Sequence, residues 1–434
     1  MTDPTFMNLK NKTKRLFVRA HRNHWLLRGA VLLGLLAMSR RTHAQSVITS
    51  EPETSETPPA LQPFATTEMD VFVPGGAVPG QELAQPFRYK FLTLRPHVDY
   101  QFLYGDGIQS APGHPENTVI QEIAPGLRLD VGEHWSLDYT PSWTLYSNNH
   151  FQNTFNQAAK LTGGTVYGNW VLGLSQSFVV TDTPQAETAT QTKQTTYATA
   201  VNGSYTINSK MSLDLGVNQD FVSADQFQSY REWSTLDWLN YHFWARFDVA
   251  LGVGLGYDDV DASPDMLFEQ YEGRIKWRAT DKVSFQLNGG VEDRQFFGGN
   301  SGDILNPVFG GGIQYQPFDQ TKISLNVERV VAVSALQNQI SESVGFDGDL
   351  NQRLLGRLYL DLSGGYQNIK YVNSGVNPAP SRTDDYYYFN TRLSTTFLKR
   401  GTIAVFYQLS KDSSSQSGFS FSSHQYGVEI GFAY

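Results

Sequence analysis

His97 and Asp99 lie two residues apart in a run where apolar and polar residues alternate, so both side chains leave the same face of a strand. A histidine beside a carboxylate is the start of a hydrolytic general base. Such a pair also needs a nucleophile or an activated water placed from other strands, and no motif in the chain supplies one. Arg274, Lys276 and Arg278 form a second constellation. Three bases on one strand face could offer a positive strip to an anionic solute. There is no Cys in 434 residues, which excludes a thiol nucleophile, a Cys-based zinc site and a disulfide framework. Beyond residue 44 the six His (97, 114, 134, 150, 242, 424) show no close metal-ligand spacing. No Gly-rich run joins a strand to a helix, so no nucleotide site is indicated. The residues thus predict no catalytic residue, no metal and no cofactor, and the chain is not expected to be an enzyme.

The elements that would position these residues are long strands. Leu92, Leu94, Pro96, Val98, Tyr100, Phe102 and Tyr104 alternate with Thr93, Arg95, His97, Asp99 and Gln101. A period of two over more than ten residues means a strand with one apolar and one polar face. Strands of soluble proteins usually run about five or six residues, whereas a tilted strand needs about 9 to 11 to cross a bilayer. The pattern returns along the chain, for instance at Val249, Leu251, Val253, Leu255 and Tyr257. Short turns, such as those at 132–134, 208–210 and 280–282, alternate with nine longer polar loops. Among these loops are 105–117, 181–194, 258–266, 294–304 and 371–384. Nine loops, each joining two strands, predict an all-β, transmembrane, antiparallel up-and-down β-barrel of about 18 strands. The runs 156–168 and 231–244 are poorly patterned, and the count is 16 if they are not strands. Closure is required because an open sheet edge in lipid leaves backbone groups unpaired. The hairpins repeat every ~40 residues, as propeller blades do, but two long strands fill each repeat here rather than four short ones. Trp135, Trp170, Phe247, Trp277 and Phe397 lie close to short turns, where an interfacial aromatic girdle belongs.

Residues 1–44 differ from the rest, with nine bases, one acid and an 11-residue apolar core at 29–39. They read as a secretory signal peptide, since that core is about half the ~20 residues a spanning helix needs. Residues 45–85 hold six Pro, six acids and no base, and are expected to be a flexible periplasmic tail. The barrel is expected over 86–434. Mean hydropathy is −0.36, and no stretch after residue 45 approaches 18 consecutive apolar residues, which excludes a polytopic helical membrane protein. The net charge of −9 argues against nucleic acid as a partner. Lipid of the cell outer membrane, the barrel assembly machinery, and hydrophilic solutes or polysaccharide are the partners expected.

The alternation assigns inward positions. Candidate pore-lining residues are Arg95, His97, Asp99, Arg128, Asp130, Asp138, Asp214, Asp248, Glu272, Arg274, Lys276, Arg278, Glu292, Glu328, Asp361 and Arg392, with Asp220, Asp347, Asp349 and Glu429 on the same face. They either tune which solutes pass or pair with one another along the inner wall. Inward small residues (Gly252, Gly254, Gly256, Gly290, Ser324, Asn326, Gly365) are expected to leave room for water. Residues 86–434 carry 35 acids against 24 bases, which predicts a modest cation preference that fades in molar salt.

Three resemblances complete the reading. The stretch from Pro125 to Pro141, with similar hairpins at Tyr271–Asp293 and Phe309–Arg329, resembles hairpins of outer-membrane β-barrel porins of Gram-negative bacteria, some of them associated with exopolysaccharide export. That resemblance implies an outer-membrane location and a porin-like channel, or a structural or export part in a surface-polysaccharide system. The last strand, Tyr426 to Tyr434, resembles the terminal strand recognised during outer-membrane assembly, with Phe432 and Tyr434 as the signal. Glu68 to Val73 loosely resembles the box by which energised transporters contact their coupling partner, although no full plug domain follows it.

Overall fold

A computed structural model describes residues 87–297, 302–374, 381–398 and 400–433. The leader at 1–44, the tail at 45–85 with its 68–73 segment, and Tyr434 lie outside the described residues.

The described residues form nineteen strands: β1 (Phe87–Tyr89), β2 (Leu92–Ala111), β3 (His114–Val131), β4 (Trp135–Tyr146), β5 (Thr154–Tyr167), β6 (Trp170–Gln185), β7 (Thr190–Asn208), β8 (Met211–Ala224), β9 (Tyr230–Trp244), β10 (Phe247–Val260), β11 (Asp265–Thr280), β12 (Val283–Phe297), β13 (Ile304–Phe318), β14 (Thr321–Val333), β15 (Gln339–Leu354), β16 (Leu358–Asn373), β17 (Arg382–Phe397), β18 (Gly401–Ser414) and β19 (Phe421–Ala433). Each pairs antiparallel with the next, and β19 returns to β2 through Phe432↔Val98 and Val428↔Phe102. Strands β2 to β19 are therefore a closed ring of eighteen. The three-residue β1 pairs with Leu92 to Leu94, covering the stretch of the β2 edge that lies beyond the reach of β19. The ring is thereby closed, as a membrane barrel requires.

The exterior is apolar. Leu251, Val253 and Leu255 on β10 are 72, 49 and 46% exposed, while Gly252, Gly254 and Gly256 between them are buried. Aromatic pairs mark two levels on this outer face. Trp170–Tyr205 and Trp277–Phe285 lie at the turn end, while Phe178–Tyr197 and Phe221–Trp233 lie toward the loop end. Phe247 and Tyr257 sit at the two levels on one strand. Ten steps of ~3.4 Å, tilted by roughly 40°, separate them by about 26 Å along the barrel axis. That matches an apolar band of about 25 Å between two aromatic girdles.

The loops are shorter than the sequence suggests. Residues expected as loops at 105–117 and 181–194 continue the ladder, through Ile108↔Glu116 and from Thr181↔Gln194 to Gln185↔Thr190. Beyond the girdle neither sheet face meets lipid, so Thr and Gln occupy both faces. The period-two signal vanishes there while the backbone pairing continues. The two weakly patterned runs are strands β5 and β9. In β9 the inward Trp238 is buried beside the exposed Trp233 and Leu239, so apolar residues on both faces mask the alternation.

Candidate functional site in the barrel lumen

The sixteen candidate residues alternate with the exposed apolar rows and so share the inner face with Glu429, Asp347 and Asp349. At the turn end several of them are partly exposed and paired. Asp130 bridges Arg95 of the neighbouring strand β2 and Arg128 of its own strand, with each Nε 2.9 Å away. His242 Nδ1 lies 2.7 Å from Asp248. Arg392 lies between Glu429 at 2.8 Å and Asp361 at 3.7 Å.

His97 and Asp99 do not form a dyad. His97 Nε2 meets Thr140 Oγ1 at 3.1 Å, and Thr140 donates to Asp138 at 3.0 Å. Asp99 lies instead against Gly431 on β19, opposite which it pairs in the ladder. Two residues of one strand face share a direction, but the partners of each come from different neighbouring strands.

The basic ladder is likewise divided. Arg274 is buried, stacks over the Trp238 ring at 4.1 Å, donates to Asn240 at 2.8 Å and lies 3.6 Å from Asp214. Glu272 accepts from Asn288 at 2.9 Å. Lys276 stands opposite Asp248 in the ladder, and Arg278 is exposed near the turn. Glu292 points away from the ladder, to Arg294 at 2.8 Å. By contrast, Asn326 and Ser324 donate to Asp347 and Asp349, at 2.8 and 3.2 Å, and these two acids and Glu328 make no ion pair among the described residues.

Burial grades along the barrel. Turn-end side chains such as Arg128, Asp248 and Asp361 are 48, 38 and 41% exposed, whereas Arg294, Asp258 and Arg382 toward the loops are 3, 1 and 1% exposed. Arg294 reaches Glu292 and Asp258, at 2.8 and 3.2 Å, and stacks over Phe268. Arg382 donates to Asp384 at 2.7 Å and lies between the Tyr371 and Phe419 rings, 4.2 Å from each. Apart from Glu292, these groups escape sequence reasoning, because 258–266, 294–304 and 371–384 present themselves as polar loops. The Glu292-x-Arg294 and Arg382-x-Asp384 spacings, opposite charges two apart on one face, were the available signal.

The inward glycines do not leave room. A Cβ on Gly252 would lie 2.8 Å from the Trp238 ring, and one on Gly365 2.6 Å from Tyr388. On Gly256 it would collide with Phe268. These glycines are seats for aromatic rings from the neighbouring strand, so close approach of ring to backbone, rather than free space, requires them.

Across the loop end runs the β6–β7 tip, residues 186–189. Glu187 accepts hydrogen bonds from the Ser334 hydroxyl at 2.6 Å and the Ala335 N–H at 3.0 Å, in the β14–β15 connection. Its carbonyl accepts from Arg382 at 3.0 Å. Strand β14 is eight positions round the ring from β6, so the tip crosses the mouth to nearly the opposite wall. Burial pushes the Glu187 carboxyl above the usual range, and its hydrogen bonds and the Arg382 charge offset this only in part. Gln228 from the β8–β9 connection donates to the carbonyls of Ala335 and Ser334, at 2.9 and 3.2 Å. Beneath these connections Val260, Met266, Phe296, Val331 and Ile340 form an apolar cluster. On the other side of the tip, β2, β6 and β17 to β19 enclose a cleft walled by amides, hydroxyls and rings.

No family model matches the chain, and no curated protein matches it. Among solved structures it is similar to the outer-membrane protein OpdK of Pseudomonas aeruginosa, with 14% identity and a TM-score of 0.45, over 79% of this chain and 99% of that one. OccK2 (OpdF) of the same organism has 13% identity and a TM-score of 0.45, over 78% and 98%. The siderophore receptor PirA, also from that organism, has 10% identity and a TM-score of 0.40, over 81% of each chain. Likeness at that level bears on neither solute nor mechanism.

Proposed function

We propose that the chain is a porin-like channel of the cell outer membrane, which passes small hydrophilic solutes passively or with weak selectivity. The observation that carries this reading is the closed eighteen-strand ring with an apolar, girdled exterior and a polar inner wall. At this strand number a barrel is wide enough for an aqueous passage. The inner charges and their amide partners keep the turn-end half wet, and the β6–β7 tip narrows the loop end. In this reading the turn end faces the periplasm, which both barrel termini share, and the loops face outward. Residues 1–44 direct export, and Phe432 with Tyr434 marks the last strand for assembly. Phe432 faces outward beside Val98 and Gly401, a suitable place for an assembly signal. The polysaccharide-export reading rests on the hairpin resemblance at 125–141 and would use the same passage. Purified protein in a planar bilayer tests the proposal. Discrete, ohmic single-channel steps are expected, and a silent bilayer containing correctly folded, heat-modifiable barrel would refute it.

A further inference from the structure

We propose that the cleft beside the β6–β7 tip is a binding site for an uncharged, polyhydroxylated solute of the sugar class. The inference rests on the channel reading and gives that channel a solute preference.

Two adjoining clefts share Gln408 and Gln425, and enclose about 640 and 510 Å³ counting the space continuous with solvent. The only side chain with a formal charge in either wall is Glu122, and no Lys or Arg contributes. An anionic solute would therefore lose its water without gaining a counter-charge. The walls instead present amides and hydroxyls, which both donate and accept. Sugar hydroxyls do the same.

Four of these groups have unmet needs. Gln109 Oε1, Ser423 Oγ, Gln425 Oε1 and the Tyr146 hydroxyl have no hydrogen-bond partner among the described residues. Each belongs to a side chain more than nine-tenths buried. Buried polar atoms are normally satisfied, and each exception calls for an explanation. Gln109 is held by its other end, donating from Nε2 to the Ser420 carbonyl at 3.2 Å, so its free oxygen is fixed. Tyr386 and Phe421, with centroids 6.4 Å apart, add a tilted pair of rings. Such rings give the carbon-bound face of a sugar an apolar surface to lie on. This combination of neutral amides, hydroxyls and a ring pair differs from the sector around Arg294, where the base is met by two carboxylates.

The test uses the full-length purified protein with maltotriose as the uncharged probe and glucuronate as the charged control. Maltotriose added to the loop side of a planar bilayer should interrupt the ion current in proportion to its concentration, and glucuronate at equal concentration should not. Gln425→Leu should weaken the block at least tenfold. Ser423→Ala serves the same purpose if the first variant fails to fold. The proposal is overturned if open channels are not interrupted, if both probes interrupt them equally, or if a folded variant is blocked as well as the parent. If no channel opens at all, the channel reading fails separately. Isothermal titration calorimetry in detergent then decides the site alone, since saturable binding heat from maltotriose and not glucuronate supports it and its absence overturns it.

Discussion

Two sectors of the same inner wall solve the problem of burying polar groups in different ways. Around β10 to β12, Arg294 is met by Glu292 and Asp258 and covered by Phe268. Around β2 and β17 to β19, amides and hydroxyls line a cleft, and several of their oxygens find no partner among the described residues. The first sector is centred on an ion triad, with one Asp258 oxygen left over, and the second is walled by neutral groups. The difference teaches that counting inward charges is a poor guide to selectivity, because matched charges act as structure. What remains to act on a solute is whatever the wall leaves unmatched.

The sharpest way to break the first sector is to remove its one base. Arg294→Ala leaves Glu292 and Asp258 buried without their partner and should cost about 3–5 kcal/mol, read as a lowered unfolding midpoint in detergent. Losing all three together, as Met, Leu and Leu, should cost far less. Equal damage from both changes would mean that the pairing is incidental.

Next in size is the facing of β10. Leu251→Arg puts a charge toward lipid and should cost about 2–4 kcal/mol near the midplane. Gly252→Arg would be harmless in a roomy lumen. With Trp238 seated 2.8 Å from where its Cβ would stand, it should instead displace the ring and the Arg274 stacked on it, at a cost of about 1–3 kcal/mol. Wild-type stability for Gly252→Arg would show that the ring does not occupy that seat.

A smaller effect concerns the tip that separates the sectors. Glu187→Ala removes the two hydrogen bonds to the β14–β15 connection and should weaken that anchor by about 1–3 kcal/mol, raising single-channel conductance. Because burial raises the Glu187 carboxyl, the anchored tip binds a proton more readily than a released one. Anchoring should therefore strengthen as pH falls from the raised value toward the ordinary carboxylate range, and weaken as pH rises and the buried carboxyl ionises. Conductance should fall on acidification in the parent and stay flat in Glu187→Gln. A parent whose conductance ignores pH would remove Glu187 from this role.

The smallest effect belongs to the unmatched acids. Changing Glu328, Asp347 and Asp349 together to their amides should reduce a modest cation preference, seen as a shift in reversal potential under a salt gradient. At molar salt the shift should vanish because screening is then complete within ~3 Å. A shift that persists at molar salt would point to a change of pore shape instead.

The strands were legible in the sequence wherever one face meets lipid. The run from Leu92 to Tyr104 and the run from Phe247 to Tyr257 announce both strand and facing, because lipid on one side and water on the other impose a period of two. Legibility fails beyond the girdle, where Thr181 to Gln185 pairs in a ladder with no apolar face. It also fails in β9, where Trp238 turns inward. The site was legible as a list of inward residues, but not as a network. A sequence gives the face on which His97 lies; it does not give the register that brings Thr140 rather than Asp99 to its ring. The glycines misled for the same reason, since an absent side chain reads as space until the neighbouring strand is known. The crossing of the β6–β7 tip left no trace in the spacing, because its partners Ser334 and Arg382 lie some 150 and 195 residues further along.

The central claim is a water-filled passage narrowed at one end by that tip. Single-channel conductance of the full-length protein, measured beside a variant in which residues 186–189 are replaced by a two-residue turn, tests it most directly. The account predicts discrete steps from both proteins, with larger steps from the shortened one. Steps of equal size, or no steps from either folded barrel, would contradict it.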